Sequence, residues 1–354
     1  MPNSEGRILR VLMVGSLPPP IGGITVSQKI LVDLLQRRSD VQITVLDVNA
    51  IRRRKGQSLR GFLCLLRRVV GGAKHVDVVA VYLASTALPL LGLFLLIVCQ
   101  VLGKPFIVRK AANLDYFDLG SMRGFIAHFV VKRSDLYLAE TKKLVQLAIK
   151  RGISHVKWYP TSRPMSENSE LLPLTNRSCR RFVFVGQVRQ CKGIREIVEA
   201  GERFADDINI DIYGPVFGDI ETELFDNCKR VKYRGVLAAE NVISVLNDYD
   251  VLLLPTMAKS EGYPGVVFEA YSAGLPVITT RCGGIPEIVD ETSGVFVEPG
   301  NAEMLFAAMK TIVDQDDLFE RLRYGVIARR SEFDSSIWAE NFVKYCEEVV
   351  SAAT

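Results

Sequence analysis

Short apolar runs, each ended by glycine, proline or a polar turn, recur along the chain with amphipathic stretches between them. Residues 8–14 (ILRVLMV) form such a run and stop at Gly15, which predicts a buried parallel strand followed by a loop. A helical period follows from Thr25 to Arg38, and residues 41–48 (VQITVLDV) predict a second strand. Over 52–68, Arg52, Arg53, Arg54, Lys55, Arg60, Arg67 and Arg68 surround the apolar GFLCLL. That segment reads as basic and amphipathic.

Residues 78–103 contain no charged side chain. A membrane-spanning helix needs about 20 apolar residues, but this span is punctuated. VVAVYL predicts a strand, Ala84-Ser85-Thr86 a turn, and Leu88 to Leu102 a buried helix. Gly103-Lys104-Pro105 then closes the helix and Phe106 to Arg109 opens the next strand, which makes a βαβ unit. Alternation continues with a helix over 121–133, a strand over 135–139 and a helix over 141–151. Residues 161–180 are polar and broken by Pro164 and Pro173, the expected domain boundary. A second series has strands at 181–186 (RFVFVG), 208–213, 231–234, 250–254 and 276–280, and an amphipathic helix runs from Ile337 to Val350. Two blocks of βα alternation predict an α/β protein of two doubly wound domains facing a cleft, with ligands at the carboxyl ends of the strands.

The length of 354 residues suits two domains at roughly 100–200 residues each. Seven cysteines are scattered and never form a CxxC pair. They read as reduced thiols of a cytoplasmic protein, not a disulfide frame or a zinc site. The first apolar run is too short for a signal peptide. The net charge of +4 hides an asymmetry: residues 1–170 hold 25 Lys and Arg against 11 Asp and Glu, whereas residues 171–354 hold 19 against 29. A basic first half suits an anionic membrane surface or a phosphorylated acceptor. Nothing matches the GxGxxG fingerprint of a nicotinamide oxidoreductase, since Gly15 and Gly22 are too far apart.

Candidate chemistry concentrates in SEGYPGVVFEAYSAGLPV, residues 260–277. A strand ends at Leu254-Pro255, a loop carries Glu261, and a helix begins near Val266 with Glu269 in its first turns. A helix start exposes backbone N–H groups to anions, and Gly265 lets backbone approach a diphosphate closely. Carboxylates are wrong for phosphate but accept hydrogen bonds from sugar hydroxyls. Glu261 and Glu269 therefore point to a ligand with a diphosphate between hydroxyl-rich rings, the layout of a nucleotide sugar. A second loop, GQVRQCKG at 186–193, follows the strand 181–186 and offers Lys192 to a diphosphate and its leaving group. A third, LPPPIGGIT at 17–25, puts Gly22 and Gly23 after the first strand.

The E-x7-E spacing of Glu261 and Glu269, set in GYPGVVFEAYSAGLPV with GGIPE at 283–287, closely resembles the donor site of family 4 retaining glycosyltransferases. The resemblance covers nearly the whole chain and is most specific over 181–300. It implies GT-B architecture: two Rossmann-like doubly wound domains, an acceptor domain over 1–175 and a nucleotide-sugar donor domain over 176–332. A C-terminal helical segment, 333–354, crosses back to the first domain. It implies Lys192 and Glu261 as catalytic residues. Donor contacts fall to Gly23, Gly186, Arg189, Lys192, Glu261, Gly265, Val266, Val267 and Glu269, with Glu269 on the ribose and Glu261 on the transferred sugar. The family usually has Arg directly after the strand-end glycine. Here that residue is Gln187, and Arg189 stands in place to supply the second cation. Many relatives carry a His after the strand that here reads PFIVR. None of His75, His128 and His155 lies there, which leaves Lys110, Asn113 or Asp115 on the acceptor side with Gly22.

The implied function is transfer of a hexose from a nucleoside diphosphate sugar to a lipid-linked or growing saccharide, with retention, in surface polysaccharide or glycolipid biosynthesis. No metal or other cofactor and no nucleic acid is expected. The expected location is cytoplasmic, with peripheral contact at an anionic membrane face. A nucleotide-sugar epimerase and a non-catalytic nucleotide-sugar-binding protein of the same shape are the alternatives.

Overall fold

The structure, a computed structural model, describes residues 7–50, 59–83, 87–110, 120–165, 178–205, 208–259 and 261–353. The turn expected at 84–86, residues 166–177 of the polar stretch, Arg52 to Lys55, and Asn113 and Asp115 lie outside these residues, as does the side chain of Lys110. Two compact units divide the chain: residues 1–162 with 335–354, and residues 163–334.

The first unit contains strands β1 Leu9–Gly15, β2 Val41–Asp47, β3 Val78–Tyr82, β4 Phe106–Lys110, β5 Leu136–Ala139 and β6 Val156–Trp158. Its helices are α1 Gly23–Gln36, α2 Leu59–Ala73, α3 Leu93–Leu102, α4 Met122–Arg133 and α5 Lys142–Lys150. The helix expected over 88–102 opens as a π-helical turn, Leu88–Gly92, before α3. All strands are parallel, in the order β2-β1-β3-β4-β5-β6.

Successive strand side chains point to opposite sheet faces, and β1 and β3 use both. Val11, Met13, Val78 and Ala80 pack with Leu31 and Leu35 of α1 on one face. Leu12, Val14, Val79 and Val81 pack with Leu95, Val130 and Leu144 on the other. A strand covered on both faces needs an unbroken apolar run, and each fully buried aliphatic side chain contributes about 1.5–3 kcal/mol. The C-terminal helix, Ser335–Ala353, puts Trp338 and Phe342 into the first of these cores. Tyr159 donates to the Trp338 carbonyl at 2.8 Å, and the Trp158 and Trp338 rings meet edge to face at 5.1 Å. No helix among the described residues is long and apolar enough to cross a membrane.

The second unit contains β7 Arg181–Val185, β8 Asn209–Tyr213, β9 Val231–Tyr233, β10 Val251–Leu254, β11 Val277–Thr280 and β12 Gly294–Val297. Its helices are α6 Ile194–Glu202, α7 Val242–Leu246, α8 Gly265–Ser272, α9 Ala302–Asp314 and α10 Asp316–Arg330. Strand β12 is absent from the sequence reading, since four residues between Ser293 and Glu298 carry too little pattern to register as a strand. The parallel order is β12-β11-β10-β7-β8-β9. The series therefore reverses direction between β7 and β10, and loops on either side of such a switch point leave a crevice at the carboxyl ends. Asp250 ties the two strands at their start by accepting from the Arg180 and Arg181 N–H groups at 2.9 and 2.8 Å.

Candidate functional site

The loops leaving β7 and β10 bring the two best candidates together. Lys192 ends a 3-10 turn, Gln190–Lys192, and its ammonium pairs with the Glu261 carboxylate in the loop after β10. Both side chains are mostly buried, at 18% and 14% exposed. Thr256 donates to the Cys191 carbonyl and to Glu261 Oε2, both at 3.3 Å. The Met257 N–H donates to the Cys191 carbonyl at 2.8 Å, which laces the two loops side by side. Gly193, at φ +80°, is obligatory there, because a Cβ would sit 2.4 Å from the Pro255 carbonyl oxygen.

The GGIPE motif has a mechanical part in this. Gly283, at φ +56°, lies against the Glu261 backbone, where a Cβ would come within 1.9 Å of its carbonyl oxygen. The Gly284 N–H donates to that same oxygen at 3.0 Å. Glu287 accepts from the Tyr263 hydroxyl at 2.7 Å. The motif thus holds the Glu261 loop from behind.

Glu269 lies one turn into α8 and is met by a residue that sequence reasoning left in the polar stretch. Arg163 reaches it through Nε at 2.6 Å, with side chains 4% and 13% exposed. The Arg163 backbone is fixed as well, its N–H donating to the Phe333 carbonyl at 3.1 Å. Ser272 of α8 donates to the Pro164 carbonyl at 2.9 Å. This also gives Gly265 a different neighbour from the expected diphosphate: a Cβ there would lie 2.2 Å from an Arg163 guanidinium nitrogen. Val266 is half-buried at the helix start, whereas Val267 is buried and donates its N–H to the Pro264 carbonyl at 3.0 Å.

Arg189 lies 3.4 Å from Asp219 and over the Phe217 ring. Gln187 is exposed. Gly186 donates its N–H to the Tyr213 carbonyl at 3.0 Å and its own carbonyl crowds Gly214, so it ties β7 to β8.

In the first unit, Gly22 and Gly23 are exposed where α1 begins after β1. Thr25 Oγ1 holds the turn, accepting from the Gly22 N–H at 3.0 Å and donating to the Pro20 carbonyl at 2.9 Å. Lys110 ends β4. His155 contacts the Val131 carbonyl at 3.0 Å, and burial together with Lys132 and Arg151 lowers the pKa of His128. Among the described residues no group of three or more His, Cys, Asp and Glu is arranged to hold a metal ion.

Residues 179–315, within the second unit, match the family model of glycosyl transferases group 1. The chain is 29% identical over 173 residues to D-inositol 3-phosphate glycosyltransferase of Corynebacterium diphtheriae, covering 45% of this chain and 40% of that one. A longer match, 25% identical over 252 residues, is to the capsular polysaccharide biosynthesis glycosyltransferase CapM of Staphylococcus aureus, covering 66% and 63%. The chain spans between 27% and 53% of the length of the first three curated relatives it matches. Among solved structures, Anabaena HepE in complex with UDP superposes with a TM-score of 0.75 at 16% identity, over 96% of this chain and 100% of that one. The fold is GT-B, two Rossmann-like units with six-stranded parallel sheets.

Proposed function

We propose that the chain is a retaining glycosyltransferase of the family 4 type. It moves a hexose from a nucleoside diphosphate sugar to a lipid-linked or growing saccharide acceptor. The observation that carries this reading is the pairing of Lys192 with Glu261 where β7 and β10 part. An ammonium and a carboxylate held together at a switch point suit a ligand with phosphate and hydroxyl groups in succession. On binding, Lys192 exchanges its carboxylate partner for the diphosphate, and Glu261 accepts from hydroxyls of the sugar. Glu269, held by Arg163, retains an oxygen for the ribose.

Transfer proceeds on one face of the sugar. The bond from the anomeric carbon to the diphosphate oxygen breaks, and the acceptor oxygen bonds to the same face. The acceptor proton passes to the departing diphosphate. Charge growing on that diphosphate is met by Lys192, which needs no metal for that task. No enzymic nucleophile is required. Relatives named for capsular polysaccharide, amylovoran and colanic acid biosynthesis support a surface polysaccharide as the product class. HepE has been crystallised with UDP and with UDP-glucose, which makes uridine the first base to try.

The test is a thermal-shift panel with UDP, GDP, ADP, CMP and their sugar conjugates. A ligand at about 100 times its dissociation constant adds roughly 2.7 kcal/mol to stability. Stabilisation by one diphosphate series, followed by transfer to a saccharide acceptor with the anomeric configuration kept, is the expected result. No response to any nucleotide, or an inverted product, would overturn it.

A further inference from the structure

The segment without charge that begins at Val78 leaves an unusual surface. After β3 and the π-helical turn, α3 buries Leu95, Leu96, Val98 and Cys99 against the sheet. Its outward side is also apolar: Ile97 is 51% exposed and Val101 79%, with Leu90 of the π-helical turn at 72% and Phe94 half-buried. Helix α4 packs beside it on the same sheet face. A Cβ at Gly92 would lie 3.3 Å from Val130 of α4. Inward, α4 buries Ala127, Val130 and Val131; outward, it exposes Met122 at 75%, Phe125 at 57% and Phe129 at 41%. Spacings of three and four residues align such side chains on one helix face. Single exposed apolar residues are ordinary, but two adjacent helices with apolar outer faces are a patch.

Charge decides what covers it. Arg123, Lys132 and Arg133 stand exposed on α4, and Arg67 and Arg68 on the neighbouring α2. None of the five makes an ion pair with a described residue. Helices α2, α3 and α4 contain no Asp or Glu. An apolar strip rimmed by cations that make no ion pair with a described residue, one of them Arg133 over the Phe129 ring, fits the headgroup boundary of an anionic bilayer, where apolar side chains insert and cations meet lipid phosphate. No described helix is long and apolar enough to cross a membrane, so contact with a bilayer would be made along the helix flanks.

We infer that the outer face of α3 and α4 is a docking surface for an anionic lipid membrane. The inference belongs to the first unit and stands apart from the chemistry of the second. Its test reads vesicle binding, so it can fail while nucleotide binding succeeds, and the reverse. Full-length protein is sedimented with vesicles of phosphatidylcholine alone and of phosphatidylcholine mixed with phosphatidylglycerol. Binding to the mixed vesicles, weakened by salt, is expected. Val101→Glu with Phe125→Glu should weaken it roughly tenfold or more. Arg123→Glu with Lys132→Glu should abolish the preference for anionic vesicles. All four positions are exposed, so the melting temperature should hold, which separates lost docking from lost folding. Wild-type protein that ignores anionic vesicles, or variants that bind as well as wild type, would overturn the inference. So would a wild-type dimer by light scattering, split by Val101→Glu with Phe125→Glu and without vesicle binding, since a second copy would then be the occupant.

Discussion

In the first unit the chain leaves β1 through Gly22 and Gly23, and a Cβ at Gly23 would meet nothing within 4 Å. In the second unit it leaves β7 and β10 through Gly193 and Gly265, where a Cβ would come within 2.4 and 2.2 Å of the Pro255 carbonyl oxygen and the Arg163 guanidinium. The residue type is the same and the physical reason differs. Gly193 and Gly265 are required by the protein's own packing, which holds the loops that carry Lys192, Glu261 and Glu269. Gly22 and Gly23 are exposed and not required by packing.

The sharpest way to break this contrast is at Arg163. Arg163→Ala leaves the Glu269 carboxylate without its guanidinium in a site only 13% exposed. A loss of about 3–5 kcal/mol is expected from breaking such a pair, read as a lower urea midpoint. An unchanged midpoint would remove the pair from the account of the site. Lys192→Ala should cut turnover by about 100-fold or more if its charge meets the leaving diphosphate; a wild-type rate would take it out of the mechanism.

Glu269→Gln keeps an oxygen for Arg163 and loses the charge offered to ribose. Nucleotide affinity should fall by about 1–3 kcal/mol in a calorimetric titration, and equal affinity would argue against the ribose role. The glycine contrast is tested by a pair of variants. Gly265→Ala should lower stability by about 1–3 kcal/mol through overpacking. Gly23→Ala should leave stability level or slightly raised, since alanine exceeds glycine in helices by up to about 1 kcal/mol, and should weaken transfer. Equal effects on stability would dissolve the distinction.

The smallest expected effect concerns pH. Burial raises the Asp77 carboxyl, but hydrogen bonds from the Arg10 side chain and N–H and from Arg7 outweigh it and hold the pKa below its ordinary value. A lowered folded-state pKa gives stability that is present above the ordinary carboxylate pKa and is lost as pH falls through the lowered one. Asp77→Asn should therefore cost about 1 kcal/mol at neutral pH and progressively less in acid, measured as urea midpoints across that range.

Much of the strand pattern was legible because fully buried parallel strands leave unbroken apolar runs, as in ILRVLMV and DVLLL. Element ends differ by one to three residues, and β6 and β12, of three and four residues, are too short to register. In the candidate site, the motif marks Glu261, Glu269 and Lys192, but the contact between Lys192 and Glu261, 69 residues apart, has no local signal. Arg163 was not, because its partner lies 106 residues away and no local period marks such a contact. One signal was available: a lone cation in Pro-Thr-Ser-Arg-Pro is an odd choice for a mere linker. Gly265 stands out in the motif, but its neighbour Arg163 is distant in sequence and shows only in the fold. The neighbours of Arg189, Asp219 and Phe217, come from another loop and carry no mark in the local sequence.

The backbone bridge between Arg163 and Asp334 has a consequence for chain connectivity. Residues 163–334 begin and end at adjacent points, so this unit is inserted, like a cassette, into a first unit whose own sequence resumes at Ser335. A unit with its ends stapled together can be excised, permuted or exchanged by cutting two neighbouring bonds. Recombination between related genes at those two bonds would replace the whole of residues 163–334, and with it Lys192, Glu261 and Glu269, in a single event while leaving the first unit's sequence intact.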